Sequence, residues 1–308
     1  MLNKIMKVLV TGGAGFIGSH IVKLLVDRGF EVTVYDNLSH SNADSVNQKA
    51  KFIEGDILDK DLLKKALLGV DGVIHMAGLI EVSESVKDPE TFAKNNILGS
   101  LSLLEAMKES NVKKIIFSST ASVYGDKPEL PIKEDGKVLA ANPYGASKVS
   151  VENFLYSYHF NFQFDVTILR YFNAYGPGEV HDPETHGIPN FIRAALDNQP
   201  IPLYWKGEQV RDFIYVDDLA AAHISVLDLD GFNIFNVGTD QGVKVMDVIK
   251  TIASIVGKDL RIEDLGERKG DVMATYASSE KLRNKTGWKP ATELKDGLQK
   301  TIDWFSQR

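Results

Sequence analysis

The chain has 308 residues, with 35 lysines and arginines against 42 aspartates and glutamates, a net charge of −7 and no cysteine. The lack of cysteine excludes a disulfide scaffold, thiolate metal sites and cysteine nucleophiles. The net negative charge argues against nucleic acid or an anionic membrane as a partner, because both require a basic surface. No apolar run approaches the roughly 20 residues that span a bilayer, and no signal-peptide core follows Met1. We therefore expect a cytoplasmic protein.

In the first half of the chain, short apolar runs alternate with stretches of helical periodicity. The predicted strands lie at 7–11, 31–35, 51–54, 72–76, 114–118 and 166–169. The predicted helices lie at 19–28, 60–68, 90–110 and 144–159. Continuous apolar strands between helices indicate a parallel sheet covered on both faces, so we predict an α/β fold with a doubly wound parallel sheet.

The pattern changes after Arg170. Residues 173–210 contain five prolines and few long periodic stretches, which predicts loops and one helix near 189–197. Residues 211–216 and a helix at 217–227 indicate a return to the main sheet. Later segments, at 233–237, 246–256 and 260–265, are predicted to alternate between that sheet and a cap. We therefore predict one domain at 1–170, to which 211–237 return, and a smaller, interleaved C-terminal domain made mainly of 171–210 and 238–308.

A glycine-rich turn follows the first predicted strand and opens a helix. Gly12, Gly15 and Gly18 have the spacing of a dinucleotide-binding Rossmann turn. Glycines permit the tight turn and bring the backbone close to a pyrophosphate, while the helix N-terminus offers free N–H groups to that anion. The turn therefore predicts a dinucleotide site.

An acidic residue at the end of the second strand indicates which dinucleotide binds. Asp36 follows Gly18 by 18 residues, where a carboxylate accepts ribose hydroxyls and repels a 2′-phosphate. Residues 37–41 contain no lysine or arginine to receive such a phosphate. We therefore expect NAD rather than NADP.

Several segments, in chain order and over nearly the whole length, resemble the extended short-chain dehydrogenase/reductase superfamily and, within it, the UDP-glucose 4-epimerases. They are Gly12 to Gly18, Gly55-Asp56-Ile57, His75-Met76-Ala77-Gly78, Asn95 to Gly99, and Tyr144-Gly145-Ala146-Ser147-Lys148. The resemblance implies that NAD contacts residues beyond the glycines and Asp36. These are Phe16, Ile17, Asn37, Asp56, Ile57, Met76, Ala77, Gly78, Asn95, Ser118, Tyr144, Lys148 and Phe172.

Tyr144 and Lys148 stand four residues apart on a predicted helix and therefore share a face. An ammonium nearby, together with the positive nicotinamide of NAD⁺, is expected to lower the pKa of Tyr144 from about 10 toward working pH. With Thr120 at a strand end, the pair resembles the Ser/Thr–Tyr–Lys catalytic set of the superfamily. The resemblance implies that the Thr120 hydroxyl binds the reacting sugar oxygen, with Ser118 as a secondary candidate.

The residues after Thr120 distinguish the subclasses of this superfamily. The 4,6-dehydratases carry Asp-Glu directly after their threonine, and related decarboxylases place a glutamate two residues after it, whereas residues 121–125 here contain no carboxylate. This favours a nucleotide-sugar 4-epimerase, which oxidises C4 transiently with NAD while Tyr144 acts as base, and returns the hydride to either face of the 4-keto intermediate. The alternatives are a nucleotide-sugar dehydratase or reductase of the same fold, and a non-catalytic NAD(H)-binding regulatory protein.

The resemblance also implies a set of substrate-binding residues for a nucleotide-diphosphate sugar. Besides Thr120, they are Asn173 for the substrate, Tyr204 for the base, Arg211 and Arg268 for the diphosphate, and Asp271 for ribose hydroxyls. Thr275 lies where sugar-restricted epimerases carry a tyrosine, so we expect room for an N-acetyl group at C2.

Two further expectations concern metals and assembly. His181 and His186 are five residues apart in a proline-rich segment, which is not a metal-ligand pattern, so no metal is expected. The resemblance implies a homodimer, in which the helices at 90–110 and 144–159 form a four-helix bundle.

Overall fold

The computed structural model describes residues 5–180, 186–267 and 272–308. The strands are β1 (Lys7–Thr11), β2 (Glu31–Asp36), β3 (Lys51–Glu54), β4 (Gly72–His75), β5 (Lys114–Thr120), β6 (Asp165–Tyr171), β7 (Asn173–Tyr175), β8 (Ile201–Leu203), β9 (Val210–Arg211), β10 (Phe213–Tyr215), β11 (Phe232–Val237), β12 (Val243–Lys244), β13 (Ile262–Asp264) and β14 (Ala274–Thr275). The α-helices are α1 (Phe16–Asp27), α2 (Lys60–Ala66), α3 (Val82–Lys87), α4 (Pro89–Phe92), α5 (Gly99–Glu109), α6 (Pro143–Phe162), α7 (Gly187–Leu196), α8 (Val216–Ser225), α9 (Val245–Val256), α10 (Glu280–Thr286) and α11 (Leu294–Phe305).

The main sheet is parallel throughout, in the order β11-β6-β5-β4-β1-β2-β3. The chain runs outward from β1 to β3 and then returns to the other side of β1 with β4. The connections therefore diverge where β1 and β4 end, and a crevice opens at that edge of the sheet. The predicted doubly wound sheet is confirmed.

Two apolar layers cover the sheet. Val8 and Val10 face one layer, which includes Ile21 of α1 and Leu219 of α8. Leu9 faces the other, with α5 and α6, because successive side chains of a strand point to opposite faces. These buried strand residues explain why the apolar runs are continuous rather than alternating.

A smaller unit with its own core follows β6. Its buried residues come from three helices and include Ile192 of α7, Ile249 of α9 and Ile302 of α11. Strands β8 and β13 pair in parallel beside them. The predicted smaller, interleaved C-terminal unit is thus confirmed as a feature of the fold.

The prediction that residues 211–216 return to the main sheet is wrong. Strand β10 pairs with β7, and β9 pairs with β12 and β14, all outside the main sheet. The carboxylate of Asp212, between the two strands, accepts hydrogen bonds from the backbone N–H groups of Thr239 (2.8 Å) and Ala277 (3.1 Å) and is fully buried. These bonds hold the segment at the edge of the smaller unit, and the chain re-enters the main sheet only at β11.

The predicted long helix at 90–110 has a wider middle turn. Residues Ala93–Leu98 form a π-helical segment between α4 and α5. Such widened turns are rare and occur frequently at functional sites. Here the segment carries Asn95 and Asn96, which both face the crevice side of the sheet.

Within the described ranges, none of the helices combines the length and the apolar character that crossing a bilayer would require.

Candidate active site

The glycine turn brings the loops after β1 and β4 into close contact. Gly12 has a φ of +69°, and its N–H donates to the Tyr35 carbonyl (2.9 Å). A Cβ at Gly12 would stand 2.6 Å from the backbone nitrogen of Ala77, and one at Gly18 would overlap the Gly12 carbonyl oxygen. Only glycine fits at either position, so the turn leaves the start of α1 open to an anion.

Asp36 is held rigidly at the end of β2. One carboxylate oxygen accepts the Ala14 N–H (3.0 Å), and the other accepts the Leu38 N–H (2.9 Å) and the Ser41 hydroxyl (3.1 Å). Remaining lone pairs can still accept the two hydroxyls of a ribose. The backbone bonds therefore orient the carboxylate for the role that the sequence predicts.

A cleft runs along this edge of the sheet. Its lining includes predicted cofactor residues from each of the loops: Gly12, Gly15, Asp36, Asn37, Ile57, Met76, Ala77, Gly78 and Asn95. The glycine turn, the Asp36 carboxylate and the apolar lining residues fit the pyrophosphate, a ribose and a ring of NAD.

Other predicted cofactor residues lie around the cleft. The carboxylate of Asp56 accepts Asn37 Nδ2 (3.1 Å) and the Leu58 N–H (2.8 Å), so it shapes the loop between the lining residues Gly55 and Ile57. Phe16 contacts the ring of His20, and Ile17 packs against the sheet core. Phe172 packs into a separate small apolar cluster beside Val123 and Tyr124.

Asn96, which the sequence analysis did not single out, anchors the loop after β4. Its Oδ1 accepts the Leu79 N–H (2.8 Å), and its Nδ2 donates to the Leu79 carbonyl (2.9 Å) and to the Ser147 hydroxyl (3.0 Å). Asn95 lines the cleft instead. The two adjacent asparagines were a signal in the sequence, but only the packing shows which of them holds the loop.

A buried hydrogen-bond chain ties β1, β4 and α5 together. The Ser100 hydroxyl donates to the Asn96 carbonyl (2.5 Å), so His75 Nε2–H donates to Ser100 Oγ (2.9 Å). His75 Nδ1 then accepts from the Thr11 hydroxyl (2.7 Å), which in turn accepts the Ala77 N–H (3.3 Å). His75 is neutral in this chain, and burial lowers its pKa from 6.5 to about 3.

The predicted catalytic residues converge at the crevice. Helix α6 begins where Asn142 Oδ1 accepts the Gly145 N–H (2.8 Å), and its first turn carries Tyr144. The Thr120 side chain at the end of β5 is close enough to Tyr144 to lower its pKa. The buried ammonium of Lys148, one turn further, donates to the Ser118 carbonyl (2.9 Å). The structure therefore brings the three residues together.

Burial dominates the pKa of Tyr144 in the chain itself. It raises the pKa to about 12, the Thr120 side chain acts in the opposite direction, and the negative charge of Glu81 adds to the rise. The Lys148 ammonium is directed at the Ser118 carbonyl, and burial lowers its own pKa to about 8. The expected lowering of the Tyr144 pKa by the ammonium together with a bound nicotinamide stays a prediction.

A buried ion pair supports the catalytic helix from behind. Glu152, one turn after Lys148, receives two hydrogen bonds from the Arg170 guanidinium, at 3.0 and 2.6 Å, and one from the Ser119 hydroxyl at 2.5 Å. Its charge also raises the pKa of Lys148 against the effect of burial. Glu152 continues the helix face of Tyr144 and Lys148, which is the signal that would have identified it.

A second buried chain lies beneath Ser118. The Tyr171 hydroxyl donates to His223 Nε2 (2.6 Å), because His223 Nδ1–H donates to the Leu219 carbonyl (2.9 Å). The Tyr171 hydroxyl also lies 3.5 Å from Met76 Sδ. Burial lowers the pKa of His223 to about 4, so this ring is neutral too.

Three of the predicted substrate residues, Asn173, Tyr204 and Arg211, follow β6 in the smaller unit. Asn173 Nδ2 donates to the Asp212 carbonyl (3.1 Å), and Tyr204 is half-buried just after β8. Arg211 on β9 pairs in register with Thr275 on β14. Arg268, Asp271 and His181 lie outside the described residues. The Nδ1 atom of His186 lies 2.7 Å from Glu179 Oε1, and its Nε2 atom lies 3.7 Å from Glu81 Oε1.

A model of the NAD dependent epimerase/dehydratase family matches residues 8–238. The chain belongs to this family. A UDP-glucose 4-epimerase from Yersinia enterocolitica is 38% identical, covering 97% of both chains.

Two solved structures of the family are similar over nearly the whole chain. A UDP-glucose 4-epimerase from Thermotoga maritima, with UDP-glucose, superposes with a TM-score of 0.95 at 36% identity, covering 98% of this chain and 99% of that one. A UDP-N-acetylglucosamine 4-epimerase from Methanobrevibacter ruminantium M1, in complex with UDP-N-acetylmuramic acid, superposes with a TM-score of 0.94 at 38% identity. The match covers 99% of this chain and 100% of that one. The predicted superfamily and NAD as its cofactor are confirmed.

Replacement of His75 by glutamine should reduce the loss of stability in acid. The unfolded chain takes up a proton near pH 6.5 and the folded one only near 3, so acid favours unfolding. His75→Gln should therefore lower the slope of unfolding free energy against pH below 6.5 by roughly 1 kcal/mol per pH unit. Urea titrations at a series of pH values measure this slope. His40→Gln, which alters an exposed histidine, should leave it unchanged, and an unaltered slope in His75→Gln would contradict the assignment.

Proposed function

We propose that the protein is a nucleotide-sugar 4-epimerase of the UDP-glucose/UDP-galactose type that uses NAD. The observation that carries the proposal is the convergence at the crevice of Thr120, at the end of β5, with Tyr144 and the buried Lys148 ammonium, one turn apart on α6. The segment after Thr120 has no carboxylate to catalyse an elimination. The similarity to enzymes named UDP-glucose 4-epimerases supports the same reaction.

Bound NAD would accept a hydride from C4 of the sugar and return it. The residues of the chain handle the proton and hold the reactants. Tyr144 removes the proton of the 4-hydroxyl, and Thr120 hydrogen-bonds the same oxygen. Lys148 supplies a buried positive charge beside the tyrosine and is positioned by Ser118 and Glu152. Because the chain offers Asn173, Tyr204 and Arg211 on the smaller unit, the nucleotide diphosphate can remain anchored while the sugar turns.

The proposed division of labour follows the two units of the fold. Residues 1–170, with α8 and β11, would form the NAD-binding domain, and 171–215 with 238–308 would form most of the substrate-binding cap. The other NAD contacts and nucleotide-sugar contacts that the sequence predicts are proposed for the same residues.

Tyr144→Phe should abolish epimerisation of UDP-glucose while leaving nucleotide-sugar binding within a few-fold of the native value. Phenylalanine keeps the packing but removes the group that takes the proton. NMR of the sugar products measures turnover, and calorimetry measures binding. Retained turnover would refute the assignment of Tyr144. A 4-keto-6-deoxy product or net NADH consumption in the native enzyme would instead indicate a dehydratase or reductase.

The substrate range is proposed to include N-acetylhexosamine nucleotides. Thr275 pairs in register with Arg211, the proposed diphosphate anchor, and therefore lies beside the proposed substrate residues of the smaller unit. Threonine is much smaller than tyrosine and leaves space for a C2 substituent. The relative from Methanobrevibacter ruminantium is named a UDP-N-acetylglucosamine 4-epimerase, which supports this range.

Thr275→Tyr should lower kcat/KM for UDP-N-acetylglucosamine about tenfold or more, because the ring occupies space that the acetamido group needs. The value for UDP-glucose should change far less, and Thr275→Ser should retain both activities. Product NMR with the two substrates tests this. Native turnover of UDP-glucose with none of UDP-N-acetylglucosamine would refute the proposed range.

We also propose that the protein is a cytoplasmic homodimer, assembled through a four-helix bundle of α5 and α6 with their counterparts. Several large apolar side chains of α6 are exposed: Phe154, Tyr156, Phe160 and Phe162. Leu98, just before α5, is 53% exposed. The concentration of large exposed apolar side chains on one helix supports an interface with another chain. The absence of cysteine suits a reducing compartment.

Phe160→Glu should shift the protein from dimer to monomer, because Phe160 is 75% exposed and a charge there cannot be buried in an apolar interface. Light scattering coupled to size-exclusion chromatography gives the mass directly. Leu68→Glu is the matched control, since Leu68 is 78% exposed but follows α2 and belongs to neither helix of the proposed bundle. A dimeric Phe160→Glu variant would contradict the proposed interface.

A further inference from the structure

An acidic residue with no assigned role lies beside the catalytic tyrosine. Glu81 follows Leu79, the residue that Asn96 anchors, by two positions. Its carbonyl accepts the Ser85 N–H (2.9 Å) at the start of α3, and α3 packs against α6, the helix that carries Tyr144. The anchored loop and the packing of α3 against α6 place Glu81 on the side of the crevice that carries Tyr144.

The Glu81 side chain is held on its outer side. Its Oε1 lies 3.7 Å from Nε2 of His186, whose Nδ1 lies 2.7 Å from Oε1 of the buried Glu179. His186 immediately precedes α7, the first helix of the smaller unit. The imidazole thus lies between the loop after β4 and the smaller unit, next to the Glu81 carboxylate.

The charge of Glu81 acts at the point where the sugar reacts. Its carboxylate raises the pKa of Tyr144, so its field reaches the phenol oxygen. A sugar whose C4 oxygen lies on Tyr144 and Thr120 has its neighbouring carbons close to the same side of the crevice. Glu81 is 25% exposed at the side chain, so it is largely shielded from water and its charge is only partly screened.

We propose that Glu81 is a specificity-determining residue that makes the site select uncharged sugars and reject sugars bearing a carboxylate. This inference rests on the proposed function and names the substrate class of the same site. A carboxylate accepts hydrogen bonds from sugar hydroxyls and from an acetamido N–H, whereas it repels a second carboxylate in a shielded site. Rejection by a like charge is an effective means of discrimination between ligands of similar shape.

Equilibrium binding tests this independently of turnover. UDP-glucose and UDP-glucuronate differ only at C6, where the second carries a carboxylate. We expect the NAD-loaded native protein to bind UDP-glucose about tenfold or more tightly than UDP-glucuronate in calorimetric titrations. Glu81→Gln removes the charge but keeps the shape and the hydrogen-bonding capacity, so it should reduce this preference to about threefold or less.

Two variants serve as controls. Glu81→Asp keeps the charge and should keep the preference. Glu84→Gln removes a charge from an exposed position of the same helix, where Glu84 pairs with Lys87 at 2.8 Å, and it should also leave the preference unchanged. If Glu81→Gln lacks a cooperative melting transition, Glu81→Ser makes the same comparison.

The outcomes separate this inference from the proposed function. Equal binding of the two ligands by the native protein, or the same preference in the native protein and Glu81→Gln, overturns the role of Glu81. Both results leave a nucleotide-sugar enzyme in place. Failure of the native protein to bind UDP, UDP-glucose or UDP-glucuronate would overturn the proposed function, and this inference with it.

Discussion

The close approach of two loops at the carboxyl edge of the sheet is the constraint on which the rest of the structure depends. Gly12, after β1, packs against the backbone of Ala77, after β4, with no room for a side chain. The buried chain from Thr11 through His75 to Ser100 holds the same two strands to α5. Because the first loop carries the glycine turn and the second passes over Lys148, the cofactor cleft and the catalytic residues take their positions from one contact.

Burial sets the electrostatics of this site. Lys148, Glu152 and Arg170 lie in a nearly water-free layer between α6 and the sheet, where an unpaired charge would be costly. The bidentate pair of Arg170 and Glu152 satisfies two of these charges, and the Ser118 carbonyl receives the third. This arrangement fixes the ends of β5 and α6 relative to each other, so that Thr120 and Tyr144 meet.

Particular elements show how far sequence patterns extend. The strands β1 to β6, the glycine turn and the pair of Tyr144 and Lys148 follow from local periodicity and spacing, and the structure has them where the patterns indicate. The segment 211–216 has a strand-like sequence, but its position depends on Asp212, whose hydrogen-bond donors, Thr239 and Ala277, lie on distant parts of the chain. A strand-like sequence does not show which strand it pairs with, so the prediction that this segment joins the main sheet was wrong. In the same way, Asn95 and Asn96 are equivalent in the sequence, and only the packing of the π-helical turn distinguishes them.

By itself, the sequence determined the fold class and the dinucleotide, and it indicated the catalytic set that we propose. Each of these depends on residues close together in the chain or on periodicity within one element. Tertiary structure alone decided the charge states and the surroundings of that set: the raised pKa of Tyr144, the lowered pKa values of Lys148 and His75, and the position of Glu81 beside the tyrosine. The physical reason is that desolvation and Coulomb interactions depend on distance in space and on exclusion of water, and neither is encoded in the spacing of residues along the chain.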